Sequence, residues 1–289
     1  MNYVIFDLEW NQSADERSAL TQPVYLAGEI IEIGAVKLDD GFRVIDELRL
    51  YISPRFYPKM HKRIAALTGI HDRDLAQKGI PFPQACRQFL DWCGEEYTFM
   101  TWSMSDIPVL ADNMIVHGMD LSVLPECCDI QRIFSREIMR SDTRYSLDTA
   151  LAILRETGDT AHDALNDAKN TAKICGHLEL EEYLQEYVSG IYVPQPNGRS
   201  YTSRQQLLED RDLLNVRCPL CGTEIRCEDW VSTGGNTFLA YGLCPEEEEE
   251  FLLQLTRCDH GTGEFSAKLL LFGVSDDLWD IYMDHKEAN

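Results

Sequence analysis

Basic residues are scarce in this 289-residue chain. Lys and Arg together number 26 against 49 Asp and Glu, which gives a formal net charge of -23, and the sequence is acidic on both sides of residue 200. Proteins that bind long duplex nucleic acid present a basic face that displaces the phosphate counterions. The composition therefore argues against such binding and leaves short single strands, held by local contacts and metal ions.

Long apolar runs are also missing. No segment approaches the roughly 18 consecutive apolar residues of a membrane-spanning helix. The first ten residues, MNYVIFDLEW, lack the basic start and following apolar stretch of a signal peptide. We therefore expect a cytoplasmic protein without a membrane partner, in which the ten cysteines are reduced or metal-bound rather than paired as disulfides.

The N-terminal part of the sequence alternates between strand and helix patterns. Residues 3–8, 29–38 and 44–52 are rich in β-branched and aromatic side chains and predict an antiparallel meander. Stretches with helical periodicity and a further apolar strand, residues 97–102, follow the meander. This order indicates an α/β fold.

A segment rich in Pro, Gly, Ser and Asn divides the chain. Residues 190–203 read GIYVPQPNGRSYTS, a composition that propagates neither a helix nor a central strand. We therefore predict an N-terminal domain over residues 1–189, a linker over 190–203 and a small β-rich domain over 204–289.

Four acidic residues and one histidine carry the strongest chemical signal. Asp7 and Glu9 are two apart on an apolar strand, so both carboxylates face the same side, where a cation is needed to offset their repulsion. Asp106 follows a strand and opens a helix, where it is either a ligand or an N-terminal cap. His162 and Asp167 have the spacing His-x4-Asp near the start of a later helix. Each segment alone also has an ordinary structural interpretation.

Taken in this order, the segments resemble the motifs of the DEDDh exonuclease superfamily, which includes proofreading subunits, RNase T and histone-mRNA-type exonucleases. The matching segments within residues 1–180 are VIFDLEW, EIIEIGAVKL, LTGIHDRDL, MTWSMSD and YSLDTALAIL followed by HDALNDA. The histone-mRNA-exonuclease-like branch is the nearest, although its Trp-Gly pair is replaced here by Trp102 and Ser103.

The resemblance implies a ribonuclease-H-like fold, a mixed five-stranded sheet flanked by helices. It also implies two Mg²⁺ or Mn²⁺ ions, with Asp7 bridging both, Glu9 and Asp167 supporting the ion that binds the attacking water, Asp106 supporting the second ion and His162 acting as general base. The expected reaction is 3′-to-5′ hydrolysis of single-stranded nucleic acid, RNA ahead of DNA, or of short oligonucleotides, to nucleoside 5′-monophosphates.

Six residues beside these motifs are candidates for the substrate pocket. They are Leu8, Trp10, Thr68, Gly69, Ile70 and Trp102. Core packing is the alternative for Leu8 and Ile70. Trp102 either stacks on a base or packs into the core at the end of its strand.

The C-terminal cysteines predict a zinc site. Cys218 and Cys221 form a Cys-x2-Cys knuckle whose Pro and Gly suit a tight turn. A second such knuckle is missing, so we expect Cys244 and Cys258 to complete a structural zinc-ribbon-like site, with His260 or Cys227 as the alternative ligand. Unmetallated cysteines are the other possibility.

A second class of function remains open for the chain as a whole. In it, the exonuclease scaffold is a regulatory module, and the acidic C-terminal domain, with Glu246 to Glu250 in a row, binds a protein partner. The presence of all five catalytic positions favours the enzyme.

Overall fold

A computed structural model describes residues 2–15, 18–192, 198–228 and 230–288. The chain forms two compact units. The first unit comprises Met1–Ala14, Ala27–Met119 and Pro125–Val188, and the second comprises Asp15–Leu26, Asp120–Leu124 and Ser189–Asn289. Among the described residues, no helix is both long enough and apolar enough to cross a membrane.

The first unit is built on a mixed sheet of seven strands. In chain order they are β1 (Asn2–Asn11), β2 (Glu29–Leu38), β3 (Val44–Ser53), β4 (Ile80–Pro81), β5 (Tyr97–Thr101), β6 (Cys127–Asp129) and β7 (Val188–Ser189). Their order in the sheet is β4-β3-β2-β1-β5-β6-β7. The predicted meander is present, since β1 pairs antiparallel with β2 and β2 with β3, whereas β5 runs parallel to both β1 and β6. The expected count of five strands was too low because β4 and β7, two residues each, extend the edges.

Helices flank this sheet, as the α/β prediction requires. They are α1 (Lys62–Thr68), α2 (Asp72–Lys78), α3 (Phe82–Cys93), α4 (Asp106–Val116), α5 (Ile130–Ile133), α6 (Leu147–Leu154), α7 (Ala164–Cys175) and α8 (Leu180–Tyr187), with a π-helical turn at Phe134–Ile138. The ribonuclease-H-like α/β fold is therefore confirmed.

Strand β2 lies at the centre of the first unit and is buried along nearly its whole length. Its sequence, EIIEIGAVKL, is an apolar run of the kind that strands covered on both faces require. Asn113 of α4 fixes the start of this strand, because its side chain accepts the Ile30 N–H at 3.1 Å and donates to the Gly28 carbonyl at 2.9 Å. Helix α4 is thereby held in a defined position against β2.

The second unit has its own sheet and hydrophobic core. Its elements are β8 (Ile191–Tyr192), α9 (Arg204–Glu209), α10 (Arg211–Leu214), β9 (Arg226–Cys227), β10 (Val231–Ser232), β11 (Thr237–Leu243), β12 (Glu250–Asp259), β13 (Phe265–Gly273) and α11 (Asp276–Ala288). The sheet order is β10-β11-β12-β13-β8, with β9 paired to β11. Phe251, Leu253 and Leu255 of β12 are fully buried, so this unit is β-rich but more than a minimal zinc ribbon.

The predicted linker is partly structured. Ile191–Tyr192 form β8, which pairs with β13, and Tyr201 bridges to Phe265. Residues 193–197 of the predicted linker lie outside the described residues.

Candidate active site

Strand β1 presents the first two acidic residues. Asp7 and Glu9 are both partly exposed, whereas Leu8 between them is 2% exposed, as strand alternation requires. In the antiparallel pairing with β2, Asp7 lies opposite Gly34 and Glu9 lies opposite Glu32. The two carboxylates therefore share one face of the sheet at its centre.

Asp106 is the first residue of α4 and is 6% exposed. Its carboxylate does not cap the helix; instead, Oδ1 accepts the backbone N–H of Leu8 at 3.1 Å. That hydrogen bond joins the start of α4 to β1 at the residue between Asp7 and Glu9. The capping alternative for Asp106 is thereby excluded.

His162 precedes α7 rather than lying within it, in contrast to the helical position expected for it. Asp163 caps the helix by accepting the Asn166 N–H at 3.0 Å, and the helix begins at Ala164. His162 has a φ of 61°, an uncommon conformation for a residue with a side chain. Its N–H donates to Oδ2 of Asp167 at 2.9 Å, so the histidine backbone and this carboxylate are held together.

A glycine brings α7 against the sheet. A Cβ added to Gly34 would lie 2.0 Å from the backbone nitrogen of Leu165 and 2.1 Å from the carbonyl carbon of Ala164. Only a residue without a side chain permits this approach. Since Gly34 lies opposite Asp7, the first turn of α7, and Asp167 with it, comes next to Asp7 and Glu9.

The predicted catalytic residues therefore converge. One ligand atom each from Glu9, His162 and Asp167 lie within 4.8 Å of one another. Burial raises the pKa of Asp7, and the nearby carboxylates of Asp106, Asp167 and Glu9 raise it further. All five residues that the sequence predicted are assembled at one position in the first unit.

Mutual repulsion makes this group a candidate for cations. Burial and the neighbouring Asp167 raise the pKa of Glu9 to about 8, and burial raises the pKa of Asp106 to about 7. Burial also raises the pKa of Asp167, whose buried Oδ1 has no hydrogen-bond partner among the described residues. Hard carboxylate oxygens without internal partners fit divalent ions such as Mg²⁺ or Mn²⁺.

A family comparison agrees with this geometry. Residues 4–175, more than half of the chain, match the model of the RNase T family, described as exonuclease. The chain belongs to this exonuclease family. The prediction that the chain belongs to the RNase T group of exonucleases is thereby confirmed. A search of curated proteins found no match to this chain.

Solved structures share the fold at low sequence identity. The nuclease domain of 3′hExo, a DEDDh family member bound to rAMP, is 21% identical, covering 63% of this chain and 92% of that one, with a TM-score of 0.52. Cell-death related nuclease 4 (CRN-4) is 19% identical over 66% and 67%, with a TM-score of 0.54. E. coli Exonuclease I in complex with a dT13 oligonucleotide is 12% identical over 83% of this chain and 55% of its own length, with a TM-score of 0.53.

Glu32 is a fifth carboxylate of the exonuclease site that the motif analysis did not single out. It is 1% exposed, and burial and the neighbouring Asp163 raise its pKa to about 7. Its Oε2 accepts the Ala164 N–H at 3.3 Å, and its Oε1 has no hydrogen-bond partner among the described residues. An acid within the apolar run EIIEIGAVKL was the available signal, because such a residue is rarely buried without a role.

Arg49 of β3 lies beside Glu32 and reaches the turn that carries His162. Its Nε is 3.4 Å from Oε1 of Glu32, and its guanidinium also donates to Asp163. The arginine thus offsets part of the negative charge at the start of α7. It also ties the N-cap residue of α7 to the sheet.

Three of the six predicted pocket residues have packing roles. Leu8 and Ile70 are buried, and Ile70 belongs to a small core with Ile31, Ile64 and Leu75. The indole N–H of Trp102 donates to the Tyr145 carbonyl at 3.2 Å and its ring packs 5.9 Å from that of Phe134. These contacts agree with the core-packing alternative for all three residues, and a role for them in the substrate pocket stays a prediction.

The remaining pocket candidates shape the loop after α1 and the end of β1. Thr68 ends α1, its hydroxyl donating to the Ile64 carbonyl at 3.0 Å and accepting the Ile70 N–H at 3.1 Å. Gly69 takes the left-handed conformation that closes this helix, with a φ of 71°. Trp10 is partly exposed and packs over Gly28, where an added Cβ would lie 2.2 Å from its indole ring. Among the candidates, Trp10 therefore offers a partly exposed aromatic ring at the position that follows Glu9 in β1.

In the second unit, three of the four predicted zinc ligands converge. The sulfur atoms of Cys218, Cys221 and Cys244 lie within 4.8 Å of one another. Cys258 is on β12, where its Sγ lies 3.9 Å from the carbonyl of Thr256, and it does not join the group. The alternative ligands do not join it either, since the Sγ of Cys227 lies 3.8 Å from the Ile225 carbonyl and His260 pairs with Ser266. The choice of Cys258 was therefore wrong.

Proposed function

We propose that this exonuclease removes nucleotides one at a time from the 3′ end of single-stranded nucleic acid, using two divalent metal ions and releasing nucleoside 5′-monophosphates. One observation carries the proposal. Carboxylates from β1, α4 and α7 meet beside an exposed histidine, and in the part of the chain that the structure describes no Lys or Arg forms an ion pair with Asp7, Glu9, Asp106 or Asp167. When bound, Mg²⁺ or Mn²⁺ polarises the attacking water and stabilises the leaving oxygen.

When metal is bound, the carboxylates would divide between two ion positions. Asp7 would contact both ions, as the resemblance to the DEDDh exonucleases implies, and Asp106, Asp167 and Glu9 all act electrostatically on its carboxylate. Glu9 and Asp167 come within 4.8 Å of His162 and would hold the ion on that side. Asp106, anchored through the Leu8 N–H, would hold the other ion.

His162 is the residue suited to take the proton from the attacking water. Its side chain is exposed beside Glu9 and Asp167, and an imidazole accepts protons at neutral pH. The hydrogen bond from the His162 backbone to Asp167 and the φ of 61° at His162 fix the position from which the imidazole side chain extends. The carboxylates around it serve as ligands, which leaves the histidine as the base.

The charge of the chain bears on the substrate. A net charge of -23 disfavours long duplexes and is no handicap for a short single strand whose 3′ end reaches the metal ions. We propose RNA ahead of DNA because the sequence motifs resemble most the histone-mRNA-exonuclease-like branch, and short oligonucleotides as well as longer strands because of the acidic charge.

The proposal is tested with 5′-labelled single-stranded RNA and DNA of matched sequence, from dinucleotides upward, in Mg²⁺ or Mn²⁺. We expect a ladder that shortens from the 3′ end, faster on RNA, sustained on the shortest substrates and abolished by EDTA. If no length of either polymer is shortened while the metal is bound, the catalytic proposal falls. A regulatory scaffold that binds a protein partner would then take its place.

A further inference from the structure

Two turns of the second unit share the same backbone design. In the first, Cys218 opens a turn whose flanking residues Arg217 and Glu224 pair antiparallel. In the second, Cys244 opens a turn whose flanking residues Leu243 and Glu250 pair antiparallel. Both turns therefore place six residues between the paired positions.

One hydrogen bond and one left-handed residue repeat as well. The N–H of Cys218 donates to the Thr223 carbonyl at 2.8 Å, and the N–H of Cys244 donates to the Glu249 carbonyl at 2.9 Å. Four residues after each cysteine the backbone turns left-handed, with φ 76° at Gly222 and φ 55° at Glu248. The second turn keeps this conformation although it has a glutamate where the first has the favoured glycine.

Aligning the turns gives each residue of the second a counterpart in the first. The segments read Cys-Pro-Leu-Cys-Gly-Thr from Cys218 and Cys-Pro-Glu-Glu-Glu-Glu from Cys244. Cys244 corresponds to Cys218, and Glu247 corresponds to Cys221. The second turn therefore has a carboxylate at the position of the first turn's second thiol.

We infer that Cys218, Cys221, Cys244 and Glu247 form a tetrahedral zinc site. The three sulfur atoms are already within 4.8 Å of one another. Carboxylate oxygen is an accepted fourth ligand for zinc, and it carries the same single charge as the thiolate that it replaces. Glu247 is exposed, so its side chain can turn toward the sulfur atoms without disturbing any packing.

The ion would join the two turns of this unit. Cys218 and Cys244 are buried beneath the exposed Cys221. A rival arrangement is a disulfide between Cys221 and Cys244, whose sulfur atoms are 3.5 Å apart. The two arrangements exclude each other, because a disulfide consumes two of the three thiolates.

The test measures metal bound to the full chain, purified under reducing conditions, with Co²⁺ alone as the optical probe and Zn²⁺ as its competitor. Absorption by sulfur-to-cobalt charge transfer reports only ions bound to thiolates, so the carboxylates of the first unit do not contribute. We expect one such ion per chain, displaced by Zn²⁺, with the visible bands of tetrahedral Co²⁺. Absence of the band, or a Cys221–Cys244 disulfide found by mass spectrometry in protein kept with Zn²⁺, would overturn the site.

Glu247 is tested against its neighbour. Mutating a residue that contacts a metal ligand, without being a ligand itself, typically lowers metal affinity by roughly 10- to 100-fold. Loss of a ligand should cost at least as much, so Glu247→Gln should weaken Zn²⁺ binding by about tenfold or more. Glu246→Gln, a matched change one residue earlier, and Cys258→Ser should leave it unchanged. Glu247→Cys should tighten binding and strengthen the charge-transfer band. Equal affinities for Glu247→Gln and Glu246→Gln would refute the carboxylate ligand.

Discussion

Glu9 and Glu32 lie directly opposite each other on strands β1 and β2. Burial and the charge of Asp167 raise the pKa of Glu9 to about 8, and burial and the charge of Asp163 raise the pKa of Glu32 to about 7. Each also raises the pKa of Asp7. The metal-free site therefore retains protons near neutral pH and is destabilised when it loses them.

Replacing Glu32 by Gln should stabilise the metal-free protein at high pH. The ionised carboxylate is disfavoured in the folded state, so its cost is absent below pH 4.5, grows as the pH rises and is complete above about pH 7. We expect the variant and the wild type to have similar unfolding free energies at pH 5, and the variant to be more stable by about 2 kcal/mol at pH 8. Urea unfolding in EDTA at both pH values measures this.

Glu29→Gln is the matched control on the same strand. Glu29 is 2% exposed, and its carboxylate accepts the backbone N–H groups of Arg55, Phe56 and Tyr57. Loss of its charge should weaken these bonds and destabilise the protein by roughly 1.5–3 kcal/mol at pH 8. A Glu32→Gln variant that is destabilised in the same way at pH 8 would contradict the account.

Metal binding should release protons and strengthen as the pH rises. Folded-state pKa values of about 8 for Glu9 and about 7 for Asp106 mean that Mg²⁺ competes with protons at pH 6 and scarcely does so above pH 8. Titration calorimetry in two buffers of different ionisation enthalpy counts the protons. We expect release at pH 7 that declines above pH 8; an affinity that does not change between pH 6 and pH 8 would refute the carboxylate assignment.

His162→Asn should separate catalysis from folding. Asn tolerates the left-handed backbone at φ 61° better than most residues and keeps the N–H that binds Asp167, but it cannot act as the base. We expect kcat to fall by about 100- to 10,000-fold, with metal affinity and Tm close to those of the wild type. Wild-type turnover by this variant would show that another group takes the proton.

Gly34→Ala should displace α7. The added carbon would meet backbone atoms of Ala164 and Leu165 at about 2 Å, and backbone cannot move aside as a side chain can. We expect a loss of about 3 kcal/mol in stability and a large loss of activity, because Asp167 moves with the helix. Gly41→Ala is the control, since the nearest atom there is 3.4 Å away. Equal effects of the two substitutions on Tm and on activity would contradict the role of Gly34.

The sequence predicted those parts of the site that depend on local spacing. Asp7 and Glu9 share a face because strand alternation places residues two apart together, and the structure agrees. His162 and Asp167 meet near the start of α7, although His162 itself precedes the helix, which begins at Ala164. The order of the motifs supplied the rest of the catalytic group.

Features that depend on packing between elements were not predicted. Glu32 and Gly34 matter because β2 pairs with β1 in one register and α7 crosses it there, and neither fact follows from the local sequence. Cys258 was chosen for its residue type, but β12 carries it away from the turn that holds Cys244. Both turns begin with Cys-Pro, which is visible in the sequence. The equivalence of Glu247 and Cys221 became clear only when the backbone conformations of the two turns were compared.

The most direct test of the central claim follows 5′-labelled single-stranded RNA in Mg²⁺ with the wild type, Asp167→Asn and Asp91→Asn. Asp167 belongs to the carboxylate group. Asp91 is exposed on α3, so Asp91→Asn makes the same chemical change outside that group. The account predicts a ladder from the 3′ end with the wild type and Asp91→Asn, and none with Asp167→Asn or after EDTA. A ladder of wild-type rate from Asp167→Asn, or one that survives chelation, would contradict it.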